Sequence, residues 1–195
     1  MEDQAAGRGA GQVIPSEGDA LTLHKKYGSA VRTVEHCRTV ARVAKTIADE
    51  FARQGKSLDS RAVLAGALLH DIGRTKVQTA RHGLDGSEIL AKEGVDQKVV
   101  EIVRRHVGAG ISAEEAKSLG LPPLDYIPRS LEETVVCFAD KMVDADRVRP
   151  FDVEVQRFVR KGHDVERLRA LKRGLQEDLG SDPESLVLGK IKESQ

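Results

Sequence analysis

The chain has 195 residues, enough to bury a core without disulfide or metal staples. Lys+Arg and Asp+Glu both number 31, so the formal net charge is zero and no global field draws in nucleic acid. Trp is absent, aromatics make up 3%, and no apolar run approaches the roughly 20 residues of a bilayer span, so base-stacking platforms and a membrane helix are both disfavoured.

Residues 1–18, MEDQAAGRGAGQVIPSEG, show no apolar period and read as a flexible tail without the pattern of a signal peptide. A short helix is expected from about Asp19 to Tyr27, stopped at Gly28. Ser29 is the expected cap of a longer helix reaching about Gln54, in which Val40, Val43, Ile47 and Phe51 recur at helical spacing. His36 precedes Val40 by one turn and shares that stripe. Asp59 caps the next helix, whose interior AVLAGALLHDIG is apolar nearly all round and therefore central; it ends in His70-Asp71, with Gly73 as the stop. Helices are expected over Leu84–Lys92 and Asp96–Val107, the second carrying Val99, Ile102, Val103 and His106 on one face. Residues 108–129 read as irregular apart from a short helix near Ala113–Leu119, because Pro122-Pro123 forbids a continuous one. Ser130 and Glu133 form a capping-box pattern for a helix through about Asp146, with Val136, Asp140 and Val143 on one face. One or two amphipathic helices cover 152–180, and Asp182-Pro183 opens a last one. No strand pattern appears, so the fold class is all-α. Cys37 and Cys137 lie far apart and are expected to be reduced and buried in a cytoplasmic protein, and His24 and His163 read as surface residues.

His36, His70, Asp71, His106 and Asp140 fall on inward helical faces, and His82 stands in the loop-like run RHGLDGSEIL. A single buried histidine is usually a hydrogen-bonded core residue. Six ionisable groups buried separately would each need their own polar partners, whereas one divalent site satisfies them together. Imidazole with carboxylate suits Mn, Fe, Co, Ni or Zn, and the absence of a thiolate cluster argues against a structural zinc.

His36, the doublet His70-Asp71 and Asp140 resemble the H…HD…D signature of the HD superfamily, and Leu69-His70-Asp71-Ile72-Gly73 matches its HDIG form. The stretch Ala139-Asp140-Lys141 resembles the last ligand helix of that family, and the likeness spans about Glu35 to Asp146. It implies an HD-domain helical bundle over residues 19–150, with residues 151–195 packing on it as C-terminal helices. His82 and His106 fall where dinuclear HD proteins place further histidines, as in bacterial HD-type diadenosine tetraphosphate hydrolases and small archaeal HDIG proteins, some related to a domain fused to a tRNA methyltransferase. By this resemblance the metal ligands are His36, His70, Asp71, His82, His106 and Asp140, for one or two ions. The expected activity is metal-dependent hydrolysis of a small phosphate substrate such as a nucleotide, with Asp71 bridging the metals and orienting water. Arg74 and Lys76 are the first candidates for phosphate contact and catalysis, and Arg105, Lys141 and Asp144 are further substrate candidates.

Three other readings are weighed. A non-catalytic nucleotide-sensing module would not need a complete ligand set. An RNA-associated module could use Arg147, Arg149, Arg157, Arg160 and Lys161, but acids interleave them, so nucleic acid is not the expected partner. A purely structural bundle leaves the inward ionisable groups unexplained. Leu186, Val187, Leu188 and Ile191 could pack on the same chain or on a second copy, so an oligomer stays open.

Overall fold

A computed structural model describes residues 12–193 of the chain. Most of the tail assigned to residues 1–18 therefore lies outside the described residues. The part within them is tied down: Val13 N–H donates to the Gly94 carbonyl (3.2 Å), and the Val13 carbonyl accepts from Asp96 N–H (2.9 Å). Helix α1 (Glu17–Tyr27) starts two residues before the expected Asp19, because Ser16 and Asp19 close a reciprocal capping box.

Helix α2 (Val31–Arg53) buries Val40, Val43, Ile47 and Phe51 as its periodicity demands. Ser29 is not its cap: Ala30 holds that position without a side-chain bond, and the Ser29 hydroxyl meets the imidazole of His24 instead. Helix α3 (Ser60–Leu69), capped by Asp59 through Ala62 N–H at 3.1 Å, is buried on nearly every side and packs against α1, α2 and two later helices. A 3-10 turn (Ile72–Thr75) follows, then α4 (His82–Lys92), α5 (Gln97–Arg105), the short α6 (Ala113–Ser118) and α7 (Leu131–Lys141). His82 is the first residue of α4 and not part of a loop.

Two expectations for α7 need correction. Ser130 accepts from Glu133 N–H, but the Glu133 carboxylate bonds to Arg129 N–H, so the capping box is half formed. The helix also stops at Lys141, five residues short of Asp146, where the chain folds into a two-strand hairpin, β1 (Val143–Asp144) against β2 (Arg147–Val148), with Val143 opposite Val148. Asp144 thus lies on β1, and no helical turn links it to Asp140.

Helices α8 (Phe151–Arg160), α9 (Glu166–Leu179) and α10 (Pro183–Glu193) complete the described chain. Helix α9 packs on α7 and α10 packs on α2 and α9. One apolar core runs through every helix but α6: Ile47, Leu69, Ile102 and Phe138 belong to the same cluster as Leu168, Leu175 and Val187, while Ala116 of α6 packs with Ile111, Leu121 and Tyr126 in a smaller one. Leu186, Leu188 and Ile191 pack against that cluster within the chain. The architecture is all-α apart from the hairpin. No helix among the described residues is long and apolar enough to cross a membrane.

Candidate metal centre

Five helices deliver their chemistry to one point. His36 comes from the second turn of α2, His70 caps the C-terminus of α3, and Asp71 heads the 3-10 turn. His82 opens α4, His106 caps the C-terminus of α5, and Asp140 is the next-to-last residue of α7. All of the sequence-predicted metal ligands converge. Ligand atoms of His36, His70 and Asp71 lie within 4.8 Å of one another, and so do those of Asp71, His82 and His106. Asp140 Oδ1 joins the first group, 3.0 Å from His36 Nε2 and 3.5 Å from His70 Nε2. Asp71 is common to both groups, with Oδ1 3.1 Å from His82 Nε2 and 3.5 Å from His106 Nε2.

The four imidazoles are oriented alike. Nδ1 donates to a backbone carbonyl in each: Ala145 for His36 (2.7 Å), Ala67 for His70 (2.8 Å), Thr79 for His82 (2.7 Å) and Val103 for His106 (2.7 Å). A neutral ring whose Nδ1 carries the proton presents a bare lone pair at Nε2, and all four Nε2 atoms point into the cluster. His82 Nε2 and His106 Nε2 stand only 3.0 Å apart, so two lone pairs face each other unless a cation lies beside them. His70 Nε2 and Asp71 Oδ1 are buried without a hydrogen-bond partner, each a cost of about 1–3 kcal/mol if left so. Unpaired lone pairs of this kind, on nitrogen and carboxylate oxygen, are the donor set of a divalent transition metal, so the residues fit the ion.

Burial and neighbouring charges set the protonation directions of the metal-free cluster. Burial holds His106 neutral, with its imidazole down to about 4. His70 is also penalised by burial, yet Cys37, Asp71 and Asp140 together hold it well above the ordinary imidazole value. Asp71 and Asp140 stay ionised despite burial, Asp71 held far down by His70, His106 and His82, and Asp140 by Lys141, His36 and His70. Both cysteines are free and buried, as expected.

Local backbone makes these positions possible. A Cβ on Gly73 would sit 2.0 Å from the His82 carbonyl oxygen and 2.6 Å from Gly86 N, so only glycine lets the 3-10 turn touch the start of α4. The Ala145 carbonyl that holds His36 comes from the β1–β2 turn, where Ala145 adopts φ 54°, a left-handed conformation unusual for a residue with a side chain.

The expected phosphate-binding residues divide. Arg74 is half-buried and donates from Nε to Asp71 Oδ2 at 2.5 Å, directly beside the cluster. Lys141 is largely buried and pairs with Asp140. Lys76 follows the 3-10 turn with an exposed side chain. Arg105 is not brought to the cluster: its guanidinium is taken by Glu101, Glu133 and the carbonyls of Asp125 and Ile127. Asp144 is exposed and pairs with Arg157 at 2.7 Å. His24, expected on the surface, is buried between Ser29 Oγ and the Leu68 carbonyl (both 2.7 Å), two residues before His70; His163 is exposed as expected.

A depression of about 340 Å3 opens onto the cluster, lined by Arg32, Thr33, Glu35, His36, Asp71 and Ala145 with Asp146. Arg32 and Glu35 were not singled out from sequence. Arg32 lies one helical turn before His36, and that spacing was the available signal.

The HD domain family model matches residues 33–143. The chain is 39% identical over 177 residues, 90% of its length, to a tRNA (cytidine(56)-2'-O)-methyltransferase of Thermoplasma volcanium, and 45% identical over 135 residues, 69% of its length, to the protein of the same name in Picrophilus torridus. It spans only 51% and 38% of those two curated relatives. An uncharacterized protein of Methanocaldococcus jannaschii is 41% identical over 142 residues, 73% of this chain and 83% of that one. Among solved structures, the L. monocytogenes phosphodiesterase PgpH HD domain aligns over 89% of this chain and 98% of its own, with TM-score 0.56 and 19% identity. The same domain in complex with cyclic-di-AMP aligns with TM-score 0.54 over 86% and 93% at 19% identity, a likeness of fold.

Proposed function

The chain belongs to the HD-domain family, and from that membership and the geometry of its ligand cluster we propose that it is a metal-dependent phosphohydrolase acting on a nucleotide or related phosphate ester or anhydride. The observation that carries the reading is the pair of candidate ligand groups sharing Asp71, with His70 Nε2 and Asp71 Oδ1 buried without a hydrogen-bond partner. In this reading His36, His70, Asp71 and Asp140 hold one divalent ion, and Asp71, His82 and His106 hold a second. Such ions would supply Lewis acidity that activates water and neutralises charge on phosphoryl oxygens. The chain's own residues hold the ligands in register. The four Nδ1–carbonyl bonds prevent the rings from rotating and keep each Nε2 lone pair free. Arg74 fixes one Asp71 oxygen with Nε and keeps further N–H donors for a substrate phosphate, while Lys141 adds positive charge next to Asp140. Asp71, held far below the usual carboxylate range, is an acceptor that orients a water and a poor proton acceptor.

A second reading has one specific observation behind it. Two relatives that this chain matches over most of its length bear the name tRNA methyltransferase, which supports a reading of the chain as a non-catalytic, RNA-associated module. The same experiment separates the two. Phosphate release is measured from mono-, cyclic and dinucleoside polyphosphates with Mn, Fe(II), Co, Ni, Zn and Mg, beside Asp71→Ala. Turnover of one class that needs metal and disappears in Asp71→Ala, with helix content retained by circular dichroism, upholds the hydrolase. Absence of turnover with every metal, together with binding of tRNA, moves the assignment to the module. Full hydrolysis by Asp71→Ala sinks the proposed site.

A further inference from the structure

Behind the metal centre lies a buried imidazole that is not among the candidate ligands. His24 of α1 is 2% exposed, and both of its ring nitrogens are bonded. Nε2 stands 2.7 Å from the Leu68 carbonyl, which can only accept, so Nε2 carries a proton whether the ring is neutral or charged. Nδ1 stands 2.7 Å from the Ser29 hydroxyl, which can donate or accept to suit. The backbone fixes that second contact: Gly28, at φ 71°, ends α1, and Ser29 N–H returns to the His24 carbonyl at 2.9 Å. The turn that stops the helix thus sets the Ser29 hydroxyl against the ring.

The last four carbonyls of a helix have no partner within it. At the end of α3 the Ala67 carbonyl takes Nδ1–H of His70 at 2.8 Å, and the next one, Leu68, takes Nε2–H of His24 from another helix. Two consecutive carbonyls are therefore committed just before the His70-Asp71 pair. Helix α1 is anchored independently of this bond. The Tyr27 hydroxyl donates to Glu93 Oε1 at 2.6 Å and Lys26 Nζ pairs with the same carboxylate at 2.7 Å, and Glu93 closes α4, the helix that His82 opens. Helix α1 also packs on α3 and on the 3-10 turn that Asp71 heads. Bonds to a metal tolerate only about ±0.2 Å, so a segment carrying two candidate ligands has to be held from outside itself.

Resting on the metal-centre reading above, we infer that His24 is a positioning residue of that centre: its Nε2–H, with the ring held by Ser29, fixes the Leu68 carbonyl at the end of α3 and so the placement of His70 and Asp71. This support comes from outside the region that the HD domain family model matches, which begins at residue 33. A histidine that only filled space in the core would need its shape; this one needs a donor at the place of Nε2.

The test loads the full chain with Co(II), whose visible spectrum reports ligand geometry and whose affinity is read by competition with a chromophoric chelator. Gln and Asn separate the two ring nitrogens, since the Gln amide reaches the place of Nε2 and the Asn amide that of Nδ1. His24→Gln should keep Co(II) affinity within about twofold and leave the spectrum unchanged. His24→Asn should weaken Co(II) about tenfold, the low end for losing an outer partner of a metal site, and shift the spectrum. Ser29→Ala should act in the same direction, by about threefold. Val187→Ala, a core truncation on α10, which carries none of the candidate ligands, should lower the melting temperature and move neither readout, so general loss of stability is told apart from positioning. Equal affinity and spectrum in the Gln and Asn variants overturns the proposal. Should His24→Asn not fold by circular dichroism, Ser29→Ala decides, and wild-type affinity and spectrum there overturn it. The two readings fail separately: a wild-type chain that takes up no Co(II) removes the metal centre and the role of His24 together, whereas tight Co(II) binding indifferent to His24→Asn removes only the role of His24.

Discussion

Three of the four clustered imidazoles use one local device. His70, His82 and His106 each donate Nδ1–H to the carbonyl three residues earlier; for His70 and His106 that carbonyl is spare at a helix C-terminus, and for His82, at the start of α4, the Thr79 carbonyl takes the His82 backbone N–H as well. His36 sits within α2, where the carbonyls are already spoken for, and needs the Ala145 carbonyl from the distant hairpin. Without metal, His70 stands between Asp71 and Asp140 with its proton retained, and that placement has a pH signature. Its folded value is raised above the ordinary 6.5, so its contribution to stability is full below about 6.5 and lost as pH rises through the folded value. Asp71 and Asp140 are depressed, so theirs is present above about 4 and lost as pH falls through the folded values. His106, lowered to about 4, opposes folding at the acid end because it must charge on unfolding there. The chelated protein is therefore expected to melt highest near pH 6.5, losing stability towards pH 4 as the His106 penalty grows and above about 6.5 as the His70 proton is lost. Thermal denaturation with chelator from pH 4 to 9 checks it, and a melting temperature that climbs steadily to pH 9 would contradict the assignment of a protonated His70.

At the scale of elements, the HDIG string does more than place His70 and Asp71 in the cluster. Gly73 lets the 3-10 turn lie against the first turn of α4, which brings His82 within 3.1 Å of Asp71. Gly73→Ala puts a methyl into the His82 carbonyl, a backbone atom that cannot swing aside as a side chain does. The expected cost is about 2–4 kcal/mol, with metal stoichiometry falling because His82 is displaced. Urea denaturation with metal analysis reads both, and a variant of wild-type stability that binds the same number of ions would refute the role of this contact. Helix existence was legible throughout from apolar spacing and caps, as with Asp59 and Asp182-Pro183. Ends were less so, because a cap is a competition: Ser29 was taken by His24 and the Glu133 carboxylate by Arg129 N–H.

For the molecule as a whole, the cluster is where α2, α3, α4, α5 and α7 meet, and an ion held there would tie all of them at once. Ligand that binds only the folded state stabilises it by about 4 kcal/mol at 1,000-fold over Kd. Removal of metal by chelation is expected to lower the melting temperature by several degrees, restored by adding a divalent transition metal; scanning fluorimetry reads this, and an unchanged melting temperature with proven loss of metal would sever the site from the fold. Helical class, the apolar α3 and the inward placement of His36, His70, Asp71, His106 and Asp140 were legible in the sequence, because apolar periodicity chooses the buried face of each helix and that face carried these groups inward, whereas His82, read as a loop residue, was singled out by the family resemblance. Tertiary structure decided what depends on contacts between distant segments. It buried His24 under the Leu68 carbonyl, committed Arg105 to the Asp125 and Ile127 carbonyls, and turned Asp144 out to Arg157.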